Sequence, residues 1–163
     1  MKRLFIVRHG KSSWELESVR DIDRTLKERG IMDAYKMASR LQSAGLVPKK
    51  IVSSSAARAF HSAVIFHRVL NMPPGTFSIE PGLYAADTEE ILNIVYSFDD
   101  DDDSIMIFGH NPGFTDLANE LSRLNISNVP TTGVVVLDFD IGKWTEIGRD
   151  RLVKEHFDYP RNA

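Results

Sequence analysis

The stretch Leu4-Phe5-Ile6-Val7-Arg8-His9-Gly10-Lys11 decides the fold. Four apolar residues, two of them β-branched, run straight into an Arg-His-Gly triplet. A short, unbroken apolar run predicts a strand buried on both faces, as in parallel sheets. The triplet then lies just past the C-terminal end of that strand, where open α/β sheets bind ligands. Gly10 permits a sharp turn or a close approach of backbone to ligand. Taken alone, the triplet reads better as a solvated strand end. Two further stretches change that balance.

Ser104-Ile105-Met106-Ile107-Phe108 predicts a second buried strand, and Gly109-His110-Asn111-Pro112-Gly113 follows it. An apolar strand again delivers a histidine past its C-terminal end. Pro112 and Gly113 predict a turn, with a helix from Thr115 or Asp116 to about Leu124. Ile51-Val52 predicts a third strand. Ser53-Ser54-Ser55 after it reads as a helix N-cap, with the helix running to about Leu70. Arg58 falls in its first turn, where backbone amides and the helix dipole already favour an anion.

The remaining segments alternate. Thr25 and Glu28 have capping-box spacing and predict a helix carrying Ala34, Met37, Ala38 and Leu41 inward, with Gly45 as its C-cap and Pro48 as its stop. Gly30 inside it marks either close packing or a later start. Phe77-Ser78-Ile79 predicts a short strand, and Thr88 a cap for a helix over 89–96. Val134–Phe139 predicts a strand that turns at Gly142-Lys143 and pairs back through Trp144–Ile147 at the edge. The tail from Asp158 reads as poorly ordered. Trp14 is either a pocket wall or a loop anchor. The five aspartates 99–103 read as a solvated acidic loop. The expectation is an α/β fold with three α/β/α layers, a mostly parallel central sheet and a C-terminal hairpin at its edge.

Length and composition agree with one domain over 1–163. The net charge of −3 predicts neither nucleic acid nor membrane as partner. The absence of cysteine removes disulfides, thiolate metal sites and cysteine nucleophiles. No metal-ligand spacing such as HxH or HExxH occurs, so no metal or other cofactor is expected. The apolar run after Lys2 and Arg3 is too short for a signal peptide, and a cytoplasmic protein is the default.

Arg8, His9, Arg58 and His110 thus sit past three strand ends. Arginine forks match phosphate oxygens, and His9 is the group able to accept a phosphoryl group. At this point the chain resembles the histidine phosphatase (phosphoglycerate mutase-like) superfamily, in its SixA-type phosphohistidine phosphatase branch. The matching segments are Leu4–Trp14, Asp23–Gly30, Ser53–Ala63, Gly109–Gly113 and Pro130–Gly133, nearly the length of the chain.

The resemblance implies that His9 is a nucleophile that becomes phosphohistidine. It implies that Arg8, Arg58 and His110 hold the phosphoryl oxygens, with Lys11 and Ser12 as further substrate contacts. The implied partner is a phosphorylated protein or small phosphorylated substrate, with phosphate or sulfate able to occupy the site. One departure stands out. Many members carry an acid after the third strand, in a context like Leu-x-Glu, whereas Leu83-Tyr84-Ala85 places alanine there. Glu80, Asp87, Glu89 and Glu90 are nearby substitutes. SixA-type proteins share this lack, which fits a leaving group needing little protonation. Two alternatives remain at this level: a phosphatase of small phosphomonoesters, and a phosphate- or phosphoprotein-binding module without turnover.

Overall fold

The computed structural model describes residues 1–162. The Leu4–Val7 run lies in strand β1 (Lys2–Arg8) near the middle of a six-stranded sheet. The other strands are β2 (Lys50–Ser53), β3 (Phe77–Ile79), β4 (Ser104–Gly109), β5 (Val134–Phe139) and β6 (Leu152–Asp158). Their spatial order is β3-β2-β4-β1-β5-β6. Strands β3, β2, β4 and β1 are parallel, whereas β5 runs antiparallel to both its neighbours.

Alternation along β1 shows why the run must be apolar throughout. Phe5 and Val7 join the core that includes α1 (Glu28–Ser43) and α2 (Ala57–Val69). Leu4 and Ile6 join the core on the other face, with α3 (Thr88–Tyr96) and α4 (Gly113–Leu121). All four are fully buried. The sheet is therefore the middle of three layers, as expected.

Several local expectations are corrected. Helix α1 starts after Lys27, without a side-chain cap. Residues 25–27 instead lie along the loop that follows β1: Ser13 N–H donates to Thr25 O at 2.8 Å and Lys27 N–H to Lys11 O at 2.9 Å. That pairing takes Thr25 out of the capping geometry. Gly30 then packs directly on Lys11. A Cβ there would overlap the Lys11 carbonyl oxygen and lie 2.9 Å from its amide nitrogen. We predict that Gly30→Ala lowers stability by about 1–3 kcal/mol, although alanine is the better helix former. A rise in Tm for this variant contradicts the close-packing role.

Helix α2 likewise has no serine side-chain cap, because Ser54 turns toward His110. The α3 cap is Asp87, one residue before Thr88, in a reciprocal capping box with Glu90. Helix α4 starts at Gly113 and stops at Leu121.

Larger differences lie at the C-terminal end. Trp144–Glu146 is a 3-10 turn, and β6 is the edge partner of β5. Trp144 is fully buried; its indole N–H donates to Asp102 O at 2.9 Å. A side chain needed as a plug cannot also alternate along an edge strand. The same contact gives the aspartate run a structural task. Asp102 and Asp103 pair with Lys50 and Lys49 at 2.9 and 3.1 Å, below the sheet's N-terminal end. The tail from Asp158 is pinned rather than loose. Arg40 bridges Asp158 at 3.2 Å, and Arg161 makes two bonds to Asp33 at 3.0 and 2.9 Å.

Among the described residues, no helix is long and apolar enough to cross a membrane.

Candidate active site

The parallel strands end level with one another. Arg8 is paired with Gly109 and Ser53 with Phe108, so His9, His110 and the approach to α2 emerge side by side. The His9 and His110 rings lie 5.1 Å apart between centroids. Arg58, in the first turn of α2, is 6% exposed, His9 8% and His110 7%. The four residues singled out from the sequence therefore meet in one place.

The loop bearing His9 is held from several sides. Thr132 N–H donates to the carbonyls of Arg8 and His9 at 3.0 and 3.1 Å, and His9 N–H donates to Gly109 O at 3.1 Å. Gly10 N–H donates to Ser62 Oγ at 2.9 Å, while the Ser62 hydroxyl donates to Arg58 O at 2.7 Å. Ser62 thus ties the His9 loop to the helix bearing Arg58. Val129 O accepts from both Arg8 Nη1 and Asn111 Nδ2, at 3.0 and 2.9 Å.

Hydrogen bonding assigns the His9 tautomer and constrains that of His110. His9 Nδ1 faces the Gly10 carbonyl at 2.7 Å. A carbonyl only accepts, so Nδ1 carries the proton and the Nε2 lone pair is available for attack. At His110 the link runs through Ser54. Ala56 N–H donates to Ser54 Oγ at 3.2 Å, and Ser54 Oγ lies 2.8 Å from His110 Nε2. The Ser54 hydroxyl, which has a second lone pair, either donates to Nε2 or accepts from it; we take the first, because it leaves the hydrogen on the unpartnered His110 Nδ1 as a donor to the site. We predict that Ser54→Ala lowers kcat/KM by about tenfold or more, the value of a lost bond to a charge-bearing site. The loss should come with a changed His110 tautomer by nitrogen NMR. Unchanged kinetics and an unchanged tautomer contradict the assignment.

Electrostatics favour the same states. Burial, reinforced by His110, Arg58 and Arg8, outweighs the Gly10 carbonyl and pushes His9 down to about 3. Burial and Arg58, then Arg8, push His110 down to about 4, with Asp21 opposing. Both rings are neutral at pH 7. The acid limb of kcat/KM should therefore lie below pH 5 rather than near the ordinary 6.5. The sign for stability follows. Below 6.5 the unfolded chain binds protons that the folded rings refuse, so stability falls as pH drops from about 6.5 toward 4. Rate profiles and urea titrations across that range check both; a rate loss centred near 6.5 contradicts the neutral-pair account.

The sequence reading missed Asp21. Its carbonyl and carboxylate accept from Arg58 Nη1 and Nη2 at 2.6 and 3.0 Å. Its carboxylate also accepts from Tyr84 at 2.6 Å and Arg24 at 2.9 Å. The Tyr84 bond, then Arg24 and Arg58, hold Asp21 well below the usual carboxylate range. Nothing in the aperiodic stretch 15–24 marked it. Ser54 was visible only as a cap, and Thr132 only as part of a matched segment.

The two further expected contacts, Ser12 and Lys11, have surroundings of their own. Ser12 Oγ is taken by Arg24 Nη2, whose guanidinium stacks 3.2 Å from the centroid of the exposed Trp14 ring. Trp14 thus shields Arg24. Lys11 lines a neighbouring cleft with Arg29 and Arg161. Of the proposed substitute acids, Glu80 binds Gly82 N–H, and Asp87 and Glu90 cap α3. Glu89 is exposed on the first turn of α3.

Four buried side-chain atoms have no hydrogen-bond partner among the described residues: Arg8 Nε, Arg58 Nε, His110 Nδ1 and Thr132 Oγ1. Each is a donor, or a hydroxyl that can donate, and all come from the segments surrounding His9. Buried donors left unpaired cost stability, and a tetrahedral oxyanion is the ligand that would satisfy several at once. Such a cleft, with a free imidazole lone pair in its wall, can bind and transfer a phosphoryl group.

Comparison with known proteins agrees. The histidine phosphatase superfamily (branch 1) matches residues 4–84. An uncharacterized chloroplastic protein of Arabidopsis thaliana is 32% identical over 154 residues, covering 89% of this chain and 70% of its own. The solved structure of a protein assigned as the phosphohistidine phosphatase SixA of Agrobacterium tumefaciens superposes with a TM-score of 0.77 at 27% identity. It covers 95% of this chain and 97% of that one. The protein histidine phosphatase SixA in complex with tungstate shares the fold, with a TM-score of 0.76 at 20% identity and 97% of each chain covered. The chain belongs to the histidine phosphatase superfamily, and it is a phosphatase. Within that superfamily it falls in the SixA-type branch.

Proposed function

We propose that the protein hydrolyses phosphohistidine in a protein substrate through a covalent intermediate on His9 Nε2. The observation that carries this reading is the free lone pair of His9 beside four buried, unpartnered polar atoms. Arg8, Arg58, His110 and Thr132 hold the phosphoryl oxygens. His9 Nε2 attacks phosphorus in line with the leaving nitrogen. The new P–N bond forms as the substrate's P–N bond breaks, the electron pair stays on the departing nitrogen, and the substrate ring, protonated on its other nitrogen, leaves as neutral imidazole. Water then attacks the phosphorus, the bond to His9 breaks, and phosphate leaves. Neutral His9 and fixed cations supply positioning and charge stabilisation, the main needs of phosphoryl transfer.

The state of Asp21 supports the choice of leaving group. Its carboxylate is ionised and occupied by three donors, so it has no proton to give. Ala85 stands where the acid of other members would lie. General acid catalysis is worth about 10² to 10⁴ in rate. An alkoxide needs that help, whereas an imidazole already protonated on its other nitrogen does not. Soluble phosphoramidate, a phosphohistidine peptide, a sugar phosphate and p-nitrophenyl phosphate form the test panel, with His9→Ala as control. The P–N substrates should be turned over at least a hundredfold faster than the sugar phosphate. Faster turnover of the sugar phosphate would instead identify a phosphomonoesterase. Tight phosphate binding without turnover of any substrate would identify a binding module.

A further inference from the structure

Beside the site a second cleft of about 250 Å³ is lined by Lys11, Arg29, Thr131, Tyr159, Pro160 and Arg161, together with Pro130. It begins where the site ends. Lys11 is two residues beyond His9, a reach of about 7 Å of extended chain, and Thr131 adjoins Thr132. One wall is the C-terminal segment, fixed by the Lys36 ammonium on Pro160 O at 2.7 Å and by the double bond pair of Arg161 to Asp33. The buried Asp33 carboxylate also faces Arg29 at 4.0 Å. One carboxylate therefore stands against three cations. Lys11 and Arg29 are exposed. This positive cleft sits on a chain of net charge −3.

We propose that the cleft receives carboxylate side chains flanking the phosphohistidine of the protein substrate. The inference rests on the reading of phosphohistidine as substrate and adds the surroundings in which it is recognised. Charge complementarity is the argument. Arginine forks match carboxylates, and Arg161 is already held by Asp33 as part of the wall. The spacing suits aspartate or glutamate two to four positions from the phosphohistidine. On a substrate helix, side chains three or four residues away lie about 5–6 Å from it, within the reach of chain that separates His9 from Lys11. A substrate with neutral flanks fills the phosphoryl site equally well but leaves the cleft unused.

Two peptides test this, each built on a hydrolysis-resistant phosphoryl-triazolylalanine analogue of phosphohistidine. One carries aspartate and glutamate at positions two to four on both sides, the other asparagine and glutamine. Fluorescence anisotropy gives their Kd for the wild-type protein and for Arg29→Glu, at low and raised salt. The acidic peptide should bind the wild type about two- to tenfold more tightly. That gap should shrink with salt and close in Arg29→Glu. Arg29 is exposed in the first turn of α1, where glutamate suits the helix dipole, so the fold should survive. Equal affinity of the two peptides for the wild type overturns the proposal, as does a gap that persists in Arg29→Glu. Hydrolysis of soluble phosphoramidate should be the same in both proteins. Its absence in the wild type would count against the catalytic reading, while the peptide comparison still judges the cleft.

Discussion

His9→Ala should lose turnover of phosphoramidate by about 10⁴- to 10⁶-fold, the scale seen when an enzyme loses its nucleophile. The loss should be confined to chemistry. His9 adds no donor to the oxyanion cradle, since its Nδ1 proton is spent on the Gly10 carbonyl. Arg8, Arg58, His110 and Thr132 remain, so orthovanadate or inorganic phosphate should still bind within about tenfold of wild type. Calorimetry with phosphate and a single-turnover assay separate the two effects. A His9→Ala protein that retains more than a hundredth of wild-type turnover contradicts the nucleophile assignment.

Arg58→Ala should cost about 10³- to 10⁵-fold in kcat/KM, the range for an arginine that meets transition-state charge. Two effects add. The Arg58 Nε donor is lost from the cradle, and Asp21 loses its buried counter-charge. The Asp21 carboxylate, left with Arg24 and Tyr84 as donors, then faces the incoming dianion with less of its charge offset. Arg58→Lys should recover little, because an ammonium cannot hold Asp21 with two nitrogens and still present a third donor. Replacing Asp21 by Asn in the Arg58→Ala background should recover part of the rate by removing the repulsion. Wild type, Arg58→Ala, Asp21→Asn and the double variant form a double-mutant cycle. Full additivity would show that Asp21 does not act through Arg58.

Much of this site could be read in the sequence because three apolar strands announce it. Parallel strands must be apolar on both faces, so each polar residue just beyond one stands out. Arg8, His9 and His110 were visible for that reason, and Arg58 because it opens a helix after a buried strand. The supporting groups had no such signal. Asp21 and Tyr84 come from segments without periodicity, and only the folded chain brings them to Arg58. Ser54 carried the right chemistry for a cap, but its hydroxyl is committed to His110. The edge strand was misplaced for a related reason. Trp144–Ile147 looks strand-like because two bulky apolar residues follow a Gly142-Lys143 turn signal, yet Trp144 is apolar as a buried plug, while Leu152–Asp158 forms the ladder with β5. The tail looked loose because it is polar, but those polar groups are the ones that grip Asp33 and Arg40.

Rapid quenching of the wild-type protein during phosphoramidate turnover, followed by phosphorus NMR and peptide mass spectrometry, tests the central claim most directly. The account predicts one acid-labile, alkali-stable phosphoryl group on Nε2 of His9. Turnover with no phosphoryl group on His9, or with the group on another residue, would contradict it.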